Sequence, residues 1–104
     1  MRLVLTVYPW AHQISDTEWV PGRYAFMAKD ARPSDKSLTT IRELSAAKGI
    51  ELLDLTPAFR AYTGTEALHF QHDMHFTEAG QRVMAKGLED SLGEGLVDQL
   101  CARP

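Results

Sequence analysis

A chain of 104 residues is long enough for one domain with a modest hydrophobic core, and its 44% hydrophobic, 24% charged and 9% aromatic residues are ordinary globular values. The net charge of −3 comes from acids and bases mixed along the chain, so no basic stripe favours nucleic acid and no polybasic face favours an anionic membrane. No apolar run approaches the roughly 20 residues of a membrane span, "MRLVLTVYPW" does not have the form of a signal peptide, and the single Cys101 has no partner for an internal disulfide, so nothing marks a compartment.

In chain order, "RLVLTVY" (residues 2–8) is nearly all apolar and rich in β-branched side chains. It predicts a strand buried on both faces, as in a parallel sheet, ended by Pro9. Residues 10–34 are irregular, with a turn signal at Pro21-Gly22. Trp10, Trp19, Tyr24, Phe26 and Met27 fall in this stretch, which is expected to pack down over a pocket.

"SDKSLTTIRELSAAKG" (34–49) predicts a helix. Ser34 is its candidate N-cap, Asp35 suits the positive end of the dipole, and Lys48 and Gly49 are stop signals. Leu38, Ile41 and Leu44 supply its apolar face. "IELLDLTP" (50–57) predicts a second strand stopped by Pro57, followed by a loop with a helical turn near Phe59. Thr77 can N-cap a last helix with Glu78 in its first turn. Val83, Met84, Leu88 and Leu92 form its apolar side, Gly93 and Gly95 end it, and a frayed tail follows.

Strand, helix, strand in this pattern is a parallel βαβ unit of an α/β protein. Two parallel strands make too small a sheet for two helices of one chain to bury on both faces. Residues 1–104 are therefore expected to be one partial domain, either the C-terminal half of a larger α/β domain or a unit whose sheet another chain completes, including a second copy.

"HFQHDMHFTEAGQ" (69–81) packs three of the four histidines into seven positions. His69, His72, Asp73 and His75 offer metal ligands of the kind zinc favours, but their spacing suits a helix poorly and no further ligand pair follows. As ordinary loop polarity, His69 and His72 would face solvent or make one backbone hydrogen bond. The third reading uses Asp73 and His75. Two apart in an extended segment, they point to one side. The carboxylate could hold one ring nitrogen, leaving the other as a general base toward a hydroxyl. Tyr8 at the end of the first strand and Trp10 and His12 just past it, where open α/β sheets build their pockets, are the candidate substrate-binding residues.

"DMHFTEAGQRVMAKGL" resembles the last block of the SGNH (GDSL-like) hydrolases, and its single residue between Asp and His resembles the D-x-H branch that includes alginate-type O-acetyltransferases. "VLTVYPWAHQI" and "GIELLDLTPAF" are similar to strand segments of the same proteins, in the same order. The resemblance implies a three-layer flavodoxin-like fold, of which this chain holds a C-terminal βαβα portion. It implies an ester hydrolase or O-acyltransferase without a cofactor, in which Asp73 orients His75 and His75 is the base. The substrate would be a small acyl ester or an acetylated carbohydrate, and full-length relatives often work in the cell envelope or periplasm.

The family also needs a Gly-Asp-Ser-like nucleophile block and Gly and Asn oxyanion donors, and the sequence contains neither. Of the serines, only Ser15, in the aromatic loop, is not explained by a helix. The chain by itself is expected to be inactive. Two alternatives stay open: a non-catalytic remnant or carbohydrate-binding module using the aromatic loop 10–27, and a metal protein using the histidine cluster.

Overall fold

The computed structural model describes residues 3–101, with side chains described for 3–93. Two short strands, β1 (Val4–Val7) and β2 (Glu51–Asp54), pair in parallel with Val4 opposite Glu51 and Val7 opposite Asp54. Leu55 extends the ladder by donating its N–H to the Val7 carbonyl at 2.9 Å. The crossover between the strands carries two helices, α1 (Ala11–Ile14) and α2 (Lys36–Lys48). Beyond β2 come α3 (Thr56–Arg60) and the long α4 (Glu78–Cys101). The chain is thus a small mixed α/β domain around a two-stranded parallel sheet.

Neither strand is buried on both faces. Val4, Leu5 and Val7 are half-buried and Thr6 is exposed. The continuous apolar run of "RLVLTVY" encodes a strand covered on both sides, and these two strands have no such cover among the described residues. The core is built by residues that follow β2 in the chain. Leu55, Phe59, Leu68 and Ala79 are buried together, with Tyr62, Phe76, Val83, Met84 and Leu88 packed against them. This core joins α3, the segment before α4 and the first half of α4.

The segment between β1 and α2 is more ordered than its composition suggests. Gln13 on α1 is buried and satisfied on both sides of its amide. Its Oε1 accepts the Trp10 N–H at 2.8 Å, and its Nε2 donates to the Ser34 carbonyl at 2.9 Å and to Ser37 Oγ at 3.3 Å. A 3₁₀ turn (Gly22–Ala25) follows the cis Val20–Pro21 bond and contains the buried Arg23. That guanidinium donates to the Ser15 carbonyl at 2.7 Å and to the Glu18 carbonyl through Nε at 3.0 Å. Arg60 of α3 adds a tie, donating to the Gln13 carbonyl and to Asp35 Oδ1 at 2.8 Å.

Helix α2 differs from expectation at its start and on its buried face. Asp35 occupies the N-cap position without a side-chain cap bond, and Ser34 Oγ accepts the Lys36 N–H at 3.2 Å. Leu38 and Ser45 are buried, Ile41 is half-buried and Leu44 is 52% exposed. A step of three residues drifts about 60° around a helix, so Leu44 lies about 120° from Leu38, whereas Ser45, seven residues on, returns to within about 20°. Gly49 ends the helix at φ 65°, as its place in the sequence predicts.

Thr77 Oγ1 accepts the Gly80 N–H at 3.2 Å and so caps α4 as expected. Gly93 breaks the helix at φ 70°, but helical backbone resumes and runs to Cys101, where the sequence predicts a tail. The side chain of Cys101 lies outside those described. Among the described residues no helix is long and apolar enough to cross a membrane.

Candidate active site

Residues 68–77 form a tight hairpin. His69 and Phe76 bridge in antiparallel fashion, the Thr77 N–H donates to the Leu68 carbonyl at 2.9 Å, and the Phe70 N–H donates to the His75 carbonyl at 3.2 Å. Phe76 turns inward, where its ring lies 5.3 Å from Phe59, 5.4 Å from Tyr8 and 4.9 Å from the His69 ring. Its neighbour His75 therefore turns outward, and 81% of its side chain is exposed.

Asp73 at the hairpin tip uses one oxygen twice. Oδ1 accepts the His75 backbone N–H at 2.8 Å and also makes a short contact with His75 Nδ1. The first bond is an Asx turn, in which a short carboxylate closes the chain two residues on. The turn, rather than the pleat of an extended strand, is what brings Asp73 and His75 together. The hydrogen bond from the His75 backbone, then that from its ring, holds the Asp73 carboxyl below its ordinary range, so it is an anion at neutral pH. A carboxylate acceptor at Nδ1 makes that nitrogen the N–H of the neutral ring and leaves Nε2 with the lone pair.

His75 opens onto a groove of about 460 Å³ against the C-terminal end of β1, where Tyr8 and Trp10 face Met74. Tyr8, Trp10 and His75 are thus brought to one surface. His12 is not. It lines a second, more open depression of about 740 Å³ between α1 and α2, beside Met27, Arg32 and Leu44. Trp10 is the wall between the two. Burial, then the charge of Arg23, lowers the basicity of His12, and its Nδ1 is buried without a partner.

The cluster of three histidines comes apart in the fold. His72 is exposed. His69 is only 3% exposed and faces the Glu18 carboxylate through Nδ1 at 3.3 Å, which corrects the expectation of a loop histidine that faces solvent or makes one backbone hydrogen bond. The partner lies 51 positions away in sequence, so only the anomaly of one acid set beside Trp19 and Val20 marks it beforehand. Among the described residues no three His, Cys, Asp or Glu side chains are grouped as a metal ion needs.

Ser15 is held elsewhere: its Oγ accepts the Thr17 and Glu18 N–H groups at 3.3 and 3.2 Å, and it does not line the groove at His75. Ser34, Ser37 and Ser45 are placed by α2 and its approach, and Ser91 is exposed on α4. Comparison with protein-family models, with curated proteins and with solved structures finds no match to this chain.

Proposed function

We propose that this chain supplies the acid–base half of an ester hydrolase or O-acyltransferase of SGNH type, with His75 as general base, Asp73 as its orienting carboxylate, and the groove beside Tyr8 and Trp10 as the acyl-ester site. One observation carries the reading: Asp73 binds both the backbone and the Nδ1 of His75, leaving Nε2 free at the mouth of an apolar groove. The sequence resemblance of the 73–88 block supports the same assignment.

In this mechanism a serine Oγ bonds to the acyl carbon while its proton passes to Nε2, and the same proton then goes to the departing alcohol. Water or a second hydroxyl then gives its proton to Nε2 and bonds to the acyl carbon, the acyl–Oγ bond breaks, and Nε2 returns that proton to the serine Oγ. None of the five serines of this chain is placed to do this. On this reading the nucleophile comes from residues beyond these 104.

The chain alone should hydrolyse 4-nitrophenyl acetate no faster than free imidazole does. Joined in frame to the residues encoded upstream in the native gene, it should turn the ester over. There His75→Ala should lower kcat by about a thousandfold or more. Retained turnover in that variant would remove His75 from the role of base.

A second reading, a carbohydrate-binding surface, is favoured by the aromatic loop. Trp10 and Phe26 are 52% and 71% exposed, and both lie against the buried Trp19, with ring centroids 6.4 and 5.5 Å away. Aromatic faces suit sugar rings. A soluble oligosaccharide titrated to millimolar concentration against tryptophan fluorescence decides it, an unchanged spectrum counting against it.

A further inference from the structure

The carboxylate of Glu18 is a charged group taken almost wholly out of water, with 11% of its side chain exposed. Such a charge is costly unless its oxygens are filled with donors. Here they are. Oε1 accepts the Leu68 N–H at 2.9 Å, and Oε2 accepts the His69 N–H at 2.9 Å and faces His69 Nδ1 at 3.3 Å. Every one of these donors belongs to the first arm of the hairpin that presents His75.

Glu18 is itself fixed. Its own N–H donates to Ser15 Oγ at 3.2 Å, and the buried Arg23 holds its carbonyl. The next residue, Trp19, is buried at φ 56°, a left-handed conformation that costs a bulky side chain about 1–2 kcal/mol and persists only where the surroundings impose it. A second tie joins the same two segments, the Gly22 N–H donating to the Gln71 carbonyl at 2.8 Å.

We propose that Glu18 is a positioning residue for His75: its carboxylate, by holding the N–H groups of Leu68 and His69, sets the hairpin register that turns Phe76 inward and His75 outward. In a strand pair a slip of one residue exchanges the two faces. His69 is the bridge partner of Phe76, so a slip there would bring His75 toward Phe59 and carry it away from the groove. Charge-assisted bonds to two consecutive backbone donors resist that slip more strongly than neutral ones. The proposal rests on the reading of His75 as the base, and its test does not use turnover.

The experiment is Glu18→Gln in the chain as it is, observed by long-range ¹H–¹⁵N correlation of the His75 ring and by amide hydrogen exchange. A glutamine keeps the size but offers one acceptor oxygen, and its NH₂ would face a second donor. The Phe70 and Thr77 amides, which close the hairpin, should exchange at least about tenfold faster, while those of α2 keep their protection. The His75 ring should lose its single Nδ1–H tautomer signature. Glu18→Asp, which keeps the charge with a shorter reach, should fall between. An unchanged His75 tautomer overturns the proposal whatever the amides do, because Glu18 would then steady the hairpin without steering the imidazole. A uniform loss of protection, or failure of both variants to fold, overturns it as well, since Glu18 would then support the whole fold. If Glu18→Gln behaves as expected while His75→Ala retains esterase turnover, the positioning stands and the catalytic reading fails.

Discussion

Burial holds the His69 imidazole below its ordinary value of 6.5, against the opposing hydrogen bond and charge of Glu18. His12 is depressed in the same direction by burial and by Arg23. For both, the unfolded chain takes up a proton at a higher pH than the folded chain does. Their contribution to stability is therefore complete above about 6.5 and is lost as pH falls from there toward the lower folded values. The carboxyls of Asp35, Asp54 and Asp73, held below their ordinary range by their hydrogen bonds, titrate beneath that window. The urea midpoint should be lower at about pH 5 than at about pH 7.5, and His12→Asn with His69→Gln should remove more than half of the difference. An undiminished difference in the double variant would place the titrating groups elsewhere. A second residue-scale expectation concerns Gly80. A Cβ there would stand 2.2 Å from the Leu68 carbonyl oxygen, backbone that already accepts from Thr77. Gly80→Ala should cost about 3 kcal/mol and lower Tm by about 10 °C or more, read by circular dichroism. At Gly49, where a Cβ meets nothing within 4 Å and only the φ of 65° opposes it, alanine should cost about 1 kcal/mol. The glycine in the first turn of the last helix is visible in the sequence. The carbonyl that demands it is not, because Leu68 reaches it only through the hairpin.

At the scale of elements, the order of strands and main helices was legible because each rests on local signals: an apolar run before Pro9, Lys48-Gly49 after a helical stretch, and Thr77 ahead of Glu78. What was not legible depends on partners distant in sequence. The 68–77 hairpin carries no alternating pattern, and its first arm is tied to Glu18, 50 and 51 positions away. The Asp73–His75 pair was readable because the two ends of an Asx turn lie two residues apart, whereas the arm that carries the turn is held from Glu18. The buried face of α2 is not the one its spacing of three suggests, because that spacing already drifts about 120° over the two steps from Leu38 to Leu44, while Ser45 returns to the Leu38 side. That face gives a prediction. Ser45 Oγ is buried without a hydrogen-bond partner, and Ser45 lies inside a helix. Ser45→Ala removes the unpaired hydroxyl and improves helix propensity, and it should raise stability by about 0.5–1.5 kcal/mol in urea unfolding. A destabilised variant would mean that the hydroxyl has a partner, such as a bound water.

For the whole molecule the decisive feature is the sheet. Among the described residues the two strands pair only with each other, so no third strand lies along β1, and Leu3 beside β1 and Leu44 on α2 are more than half exposed. A two-stranded sheet is marginal in water without further strands or cover, and an open apolar edge is a template for pairing. The core of Leu55, Phe59, Leu68 and Ala79 stabilises α3, the hairpin and α4, and leaves β1 dependent on β2. Whatever completes the sheet, a second copy or another polypeptide, should therefore stabilise this chain by mass action. Thermal unfolding followed over about a hundredfold range of chain concentration is the direct measurement. If copies pair edge to edge, Tm rises with concentration, and Leu3→Lys, which places a charge on the open edge, abolishes the rise. If the natural cover is a different polypeptide, Tm stays constant with concentration and rises only when that polypeptide is added, and the same Leu3→Lys blocks the gain. A constant Tm combined with no gain from any added segment and no effect of Leu3→Lys would mean that the two-stranded sheet is sufficient by itself. If His75 is the base proposed above, its nucleophile would then have to reach the groove without joining the sheet.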